Sequence, residues 1–203
     1  MIRREWGQRL VRSWGEGWFE AAGRIGDKIA RLVGAAEGEV ILADSTSVNL
    51  YKLTLAALAA RPDRQTILTD DLNFPSDLYI LQSAAALTGR RVRVIPAADG
   101  IFGPAEAICA AIDDDTALVS LSHTVFKSGY VYDMAAITAA AHRAGALALW
   151  DLSHSCLLYT SSQRIIVKSF GVHGRSMAGV QSCQVRSGTT AGVAYGPAAR
   201  SSK

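Results

Sequence analysis

Three short stretches hold the residue types from which a small-molecule site could be built. Asp44-Ser45-Thr46-Ser47 puts three hydroxyls directly ahead of an apolar helical repeat. Hydroxyls beside the free N–H groups of a helix start form an anion site suited to a phosphate, although the same run also suits an ordinary helix cap. In Asp70-Asp71-Leu72-Asn73-Phe74-Pro75-Ser76-Asp77, an aromatic held by a following proline can offer a rigid face to a flat ligand. Asp77 can accept hydrogen bonds there, or simply favour the helix dipole. Trp150-Asp151-Leu152-Ser153-His154 closes an apolar run with a carboxylate, and His154 follows three residues later. A carboxylate at a strand's end is costly to bury unless a cation pairs with it. A protonated pyridine nitrogen is one such cation, and a capping turn is the plainer use of the same Asp.

Other chemistries lack their motifs. No G-x-x-x-x-G-K-[ST] run and no G-x-G-x-x-G after a strand occurs, which removes P-loop and dinucleotide sites. Cys109, Cys156 and Cys183 have neither zinc-site nor disulfide spacing.

The elements that must position these stretches follow from the hydrophobic period. Strands are expected at 38–43, 65–70, 91–96, 116–122 and 146–152, and helices at 48–60, 75–89, 104–113 and 134–145. Ser45 to Ser47, Asn73 with Pro75, Pro104 and Asp133 supply helix starts, and Gly89 and Gly145 supply stops. This alternation predicts an α/β fold, a mainly parallel sheet with helices on both faces. Ligands bind at the carboxyl ends of such strands, so the loops after Ala43, Asp70, Ser122 and Trp150 are the places to look. Residues 8–33 have a helical pattern, with Trp14, Trp18, Ile25, Ile29 and Leu32 near one face.

The 203 residues are 49% apolar, enough to bury a sizeable core, and no apolar run is long enough to span a membrane. The basic N-terminus has no apolar stretch of the secretory type, so the cytoplasm is the expected location. The net charge of +3 hides an asymmetry: residues 156–203 carry six basic and no acidic side chains, leaving 15 basic and 18 acidic before them. Those six charges are dispersed with little aromatic interleaving, which argues against a nucleic-acid partner. QRIIVKSF could make one strand, but the rest of 156–203 has no sustained period and is expected to be disordered.

Phosphate loop, aromatic face and strand-end carboxylate together fit pyridoxal 5′-phosphate. The same residues resemble a known family. ADSTSVNLYK (43–52), NFPSDLYI (73–80), LSH with the following Lys127-Ser128-Gly129, DMAAITAAAHRAGAL (133–147) and WDLSHS (150–155) are similar to bacterial kynureninases, fold-type I pyridoxal-phosphate enzymes. The resemblance runs from about residue 3 to residue 155. It implies that 1–155 is part of the large cofactor-binding domain and that Thr46 and Ser47 serve the phosphate. By the same likeness, Phe74 stacks on the ring, with Pro75, Ser76 and Asp77 completing that segment. Ser122 is implied to lie beside the cofactor, Asp151 to pair with the pyridine nitrogen, and His154 to lie nearby. One departure is Val125-Phe126 in place of the more usual Asn-Tyr, expected to leave the cofactor contacts untouched. No metal site is implied.

The family hydrolyses L-kynurenine, or its 3-hydroxy form, to an anthranilate and L-alanine, in tryptophan catabolism leading towards NAD biosynthesis. It does so as a homodimer, and neither a nucleic acid nor a membrane is implied as a partner. The nearest rival readings are a cysteine desulfurase or aminotransferase relative and a non-catalytic phosphate-binding module. Family chemistry also needs a lysine that forms a Schiff base with the cofactor, in a Tyr-Lys pair some two dozen residues past the strand-end Asp. Here that region reads Gly174-Arg175-Ser176-Met177-Ala178-Gly179, and Lys168 and Lys127 do not match in context. The expectation is therefore a kynureninase fragment with no catalytic lysine and no activity of its own. Cys156-Leu157-Leu158-Tyr159-Thr160-Ser161 resembles the translation of a transposon-end sequencing adapter, so 156–203 is read as unrelated to the body.

Overall fold

A computed structural model describes residues 2–33 and 35–155; the expected QRIIVKSF strand and the basic tail lie outside the described residues. The elements are α1 (Ala21–Val33), α2 (Thr46–Ala59), β1 (Thr66–Asp70), α3 (Pro75–Thr88), β2 (Arg91–Ile95), α4 (Ala105–Ala111), β3 (Thr116–Ser122), α5 (Met134–Arg143) and β4 (Leu147–Asp151). The four strands form one parallel sheet in the order β2-β1-β3-β4.

Two apolar layers sandwich the sheet, because successive side chains of a strand face opposite ways. Leu50, Ala57 and Leu58 of α2 and Leu81 and Ala85 of α3 pack on Ile67, Leu118, Leu147 and Leu149. On the other face, Ile108 and Ala111 of α4 and Ile137 and Ala141 of α5 pack on Leu68, Val119, Leu121 and Trp150. Every residue of β1 and β3 is buried, their Thr, Ser and Asp side chains included, whereas β2 lies at the edge and exposes Arg91 and Arg93. Each buried Leu or Ile contributes roughly 1.5–3 kcal/mol through burial.

Arginines close the amino-terminal end of the sheet. Arg61 Nε donates to the Gly145 carbonyl at 2.8 Å, and Arg64 donates to the carbonyls of Thr116 (2.8 Å) and Ala144 (2.7 Å). The C-terminus of α2 is thereby tied to this end. A helix of 14 residues, about 21 Å long, then starts on the opposite side, at the carboxyl ends of the strands. Helix starts and stops largely follow the expected chemistry: Ser45 Oγ accepts from Val48 N, Asp133 accepts from Ala136 N, and Gly89 stops α3 in the left-handed conformation at φ 68°.

Two sequence expectations are corrected. Residues 38–43 make no strand: Leu42 N donates to the Ala22 carbonyl (3.3 Å), and Ile41 is 73% exposed. The segment lies so close to α1 that a Cβ at Gly26 would stand 1.9 Å from the Val40 carbonyl oxygen. Strand propensity reflects packing on a paired neighbour, and no described strand pairs with this run. The stretch 8–33 is not one helix either. A π-helical run Ile2–Arg9 and a 3-10 run Leu10–Glu16 precede α1, with Trp6 and Trp18 stacked at 5.4 Å and Trp14 exposed. Gly15 and Gly17 interrupt the helical period, and Gly17 takes φ 122°. Among the described residues, no helix is long and apolar enough to cross a membrane.

Candidate functional site

Because β1, β3 and β4 are neighbours, the ends of three separate strands meet at one edge of the sheet. Ser122 and Asp151 are register partners, and His123 N extends the ladder by donating to the Asp151 carbonyl at 2.9 Å. Asn73 laces β1 to β3: its Nδ2 donates to Thr69 Oγ1 (2.6 Å) and the Ser120 carbonyl (3.2 Å), and its Oδ1 accepts from Ser122 N. It is not the helix cap expected from sequence. The cap position belongs to Phe74, which offers no side-chain bond, because the buried Asn73 amide is fully used by the sheet. Asp70 is buried beside it and accepts from Leu72 N (3.2 Å), Asn73 N (3.0 Å) and the Tyr132 hydroxyl. Burial outweighs those bonds and raises the Asp70 carboxyl above its ordinary value.

Asp77, in the first turn of α3, is 4% exposed and lies within electrostatic reach of Asp151. Burial, and then the charge of Asp151, push the Asp77 carboxyl up to about 6. Ser76 Oγ donates weakly to Asp77 Oδ1 at 3.4 Å. On the other side, Asp151 Oδ1 accepts from Ser153 N (2.8 Å) and Ser153 Oγ (2.6 Å). Among the described residues no Lys or Arg forms an ion pair with either carboxylate. Beside this pair, the Ser122 hydroxyl is buried and has no hydrogen-bond partner among the described residues. Asp77 is buried and Asp151 half-buried, and an acid pair without a cation beside an orphaned hydroxyl can accept a polar, cationic guest.

The mouth is aromatic. Phe74, 39% exposed, has its ring centroid 5.1 Å from that of Phe126 at an interplanar angle of 71°, and 5.7 Å from that of His154. Phe126 and His154 stand 6.0 Å apart, so the Val125-Phe126 departure sets an aromatic ring beside Phe74 and His154. Phe126 reaches Phe74 because Val125 N bonds the Tyr130 carbonyl and Gly129, at φ 73°, closes the turn between them. The Lys127 ammonium lies 5.5 Å from the centre of the Phe126 ring.

Pro75 occupies the first position of α3 and sets Phe74 against the strand ends. Thr46 and Ser47 are exposed at the start of α2, on the carboxyl-end side, with Ser45 alone serving as the cap. Asp44 enters that helix at φ 32°, a left-handed conformation that Asp tolerates better than most residues. The structure thus gathers Phe74, Asp77, Ser122, Asp151 and His154 at one edge. Sequence reasoning missed the direct meeting of Asp77 with Asp151, the inward turn of Phe126, and the seating of Ser155 on His123. Only the last had a local signal, the Leu121-Ser122-His123 run at a strand's end.

Comparison with known proteins gives a consistent likeness. The family model described as aminotransferase class-V matches residues 8–172. The chain is 43% identical over 162 residues to the kynureninase of Pseudomonas fluorescens, covering 76% of this chain and 37% of that protein. It is 42% identical, with the same coverage, to the kynureninase of Burkholderia pseudomallei. The chain therefore spans little more than a third of the length of these curated relatives. Among solved structures, DndA from Streptomyces lividans matches with a TM-score of 0.60 at 20% identity, over 77% of this chain and 46% of that one. The cysteine desulfurase CsdA from Escherichia coli matches with a TM-score of 0.57 at 17% identity, over 73% and 37% respectively. At these identities the solved structures share the α/β fold.

Proposed function

The chain belongs to the class-V aminotransferase family, and from that premise we propose that residues 2–155 form the cofactor-holding part of a kynureninase-type enzyme. Its cofactor is pyridoxal 5′-phosphate, whose protonated ring acts as an electron sink for bonds at an amino-acid carbon. The residues fit that group. The Asp77–Asp151 pair, two carboxyl groups in electrostatic reach of each other, is the observation that carries the reading, because a pyridinium is the cation it lacks. Asp151 would hold the ring nitrogen, and Asp77 would add negative charge behind it. Ser122 would give its idle hydroxyl a partner, and Phe74 would stack on the ring with His154 beside it. Thr46 and Ser47, with the free N–H groups of α2, would take the phosphate. Pro75 and Ser76 keep the Phe74–Asp77 turn in place.

For the whole protein, the 43% identity supports hydrolysis of L-kynurenine or its 3-hydroxy form; a cytoplasmic homodimer acting in tryptophan catabolism belongs to the same proposal. Past Asp151 this sequence holds Lys168 and Lys203 and no Tyr-Lys pair. The chain by itself is then a binder without turnover. The test is a titration of the full chain with pyridoxal 5′-phosphate, followed by absorbance and tryptophan fluorescence. Saturable binding that is lost in Asp151→Ala is expected, with no anthranilate released from L-kynurenine. A folded chain that shows no saturable binding would overturn the cofactor reading, and anthranilate release would overturn the reading of the missing lysine.

A further inference from the structure

His154 lies on an exposed turn, yet its ring is held 5.7 Å from Phe74 and 6.0 Å from Phe126. An imidazole on a surface turn keeps such a place only if the turn itself is rigid, since a free side chain at a loop tip samples several rotamers. The turn is closed at both ends. At its start, Asp151 is paired in the sheet, its carbonyl accepts from His123 N, and its carboxylate accepts from Ser153 N and Oγ. At its end, Ser155 N donates to the Leu152 carbonyl at 2.9 Å. The Ser155 hydroxyl, 1% exposed, lies 2.9 Å from His123 Nδ1 and 3.1 Å from Thr124 Oγ1.

One hydroxyl therefore bridges two groups of the segment that follows β3. It can donate to one and accept from the other, so neither partner is left unsatisfied. His123 is itself fixed, packed edge-to-face on Trp150 with ring centroids 6.3 Å apart. We propose that Ser155, through His123 Nδ1 and Thr124 Oγ1, is a positioning residue that clamps the 151–155 turn and sets the His154 ring against Phe74 and Phe126. Its functional meaning rests on the cofactor reading above, in which His154 borders the ring that Phe74 stacks on. The clamp itself is a property of the cofactor-free chain.

That separation shapes the test. The full chain, labelled with 13C on its four histidines and free of cofactor, is compared by NMR with Ser155→Ala, Thr124→Val and His123→Asn. His154→Gln identifies the His154 signal, which ring currents from Phe74 and Phe126 should displace from the position of a free imidazole. Ser155→Ala is expected to remove most of that displacement and Thr124→Val part of it. His123→Asn keeps an acceptor close to where Nδ1 stood and should preserve it. The Trp150 indole N–H, which donates to Thr138 Oγ1 at 2.9 Å, reports that β4 and α5 remain packed in each variant. An unchanged His154 signal in Ser155→Ala, or its loss in His123→Asn to the same degree as in Ser155→Ala, would overturn the clamp. Should Ser155→Ala fail to fold, an unmoved signal in Thr124→Val would do so. None of these outcomes depends on pyridoxal 5′-phosphate binding, so the two readings fail separately.

Discussion

Asp77 and Asp151 stand as two carboxyl groups in electrostatic reach of each other, one from the first turn of α3 and the other from the end of β4. Elements 74 residues apart in sequence thus bring a buried and a half-buried carboxylate together. The arrangement lets Asp77 take up a proton near neutrality, and a bound cation would relieve it.

The pair makes stability depend on pH in a defined direction. The Asp77 carboxyl is raised from an ordinary 3.8 to about 6 by burial and by Asp151, so the folded chain holds a proton that the unfolded chain has released. Stability from this group is full below pH 4 and is lost as pH rises through about 6. Asp77→Asn is expected to be more stable than the parent at pH 8 by about 1–3 kcal/mol, with the difference vanishing near pH 4. Urea unfolding at pH 4, 6 and 8 measures it, and a pH-independent difference would contradict a raised Asp77 carboxyl.

Ser122→Ala separates a site residue from a stability residue. Its hydroxyl has no partner among the described residues, so removal should leave stability unchanged or raise it by up to about 1 kcal/mol. Affinity for pyridoxal 5′-phosphate should fall several-fold. Thermal melting and fluorescence titration of the same sample give both numbers.

The double variant Thr46→Ala/Ser47→Ala retains the Ser45 cap and two exposed positions of a helix start, so its melting should match the parent within about 0.5 kcal/mol. Binding of pyridoxal 5′-phosphate should weaken tenfold or more, while binding of pyridoxal, which lacks the phosphate, should change little. Equal losses for both ligands would remove these hydroxyls from the phosphate site.

The apolar layer under α4 and α5 is sensitive to crowding. A Cβ at Gly103 would stand 2.2 Å from the Tyr132 ring, whose hydroxyl donates to buried Asp70. Gly103→Ala should therefore cost about 1–3 kcal/mol, as overpacking does, and Tyr132→Phe a similar amount by stripping a donor from a buried carboxylate. Equilibrium unfolding of the two single variants and the double should show less than additive losses, since both act on the same Asp70 contact.

Much of this was legible in the residues. β1 and β3 read as strands because Ile67-Leu68 and Ala117-Leu118-Val119 are short apolar runs flanked by threonine or serine, and Ser45, Asp133 and Gly89 announced their caps through local backbone chemistry. Segment 38–43 misled because Val40, Ile41 and Leu42 satisfy strand propensity, while a ladder also needs a neighbour that propensity does not encode. Asn73 misled in the opposite way. Its type and place before Pro75 fit a cap, but the nearby strand ends of the folded chain claimed its amide.

By itself, the sequence determined the parallel α/β order, the carboxyl-end location of the site and the residue types needed there, since period, turn chemistry and motif are local properties. Only the tertiary structure decided that Asp77 faces Asp151, that Phe126 turns onto Phe74 and His154, and that Ser155 seats on His123. Those relationships depend on which strands lie side by side, and the order β2-β1-β3-β4 is set by long-range packing of the two apolar layers.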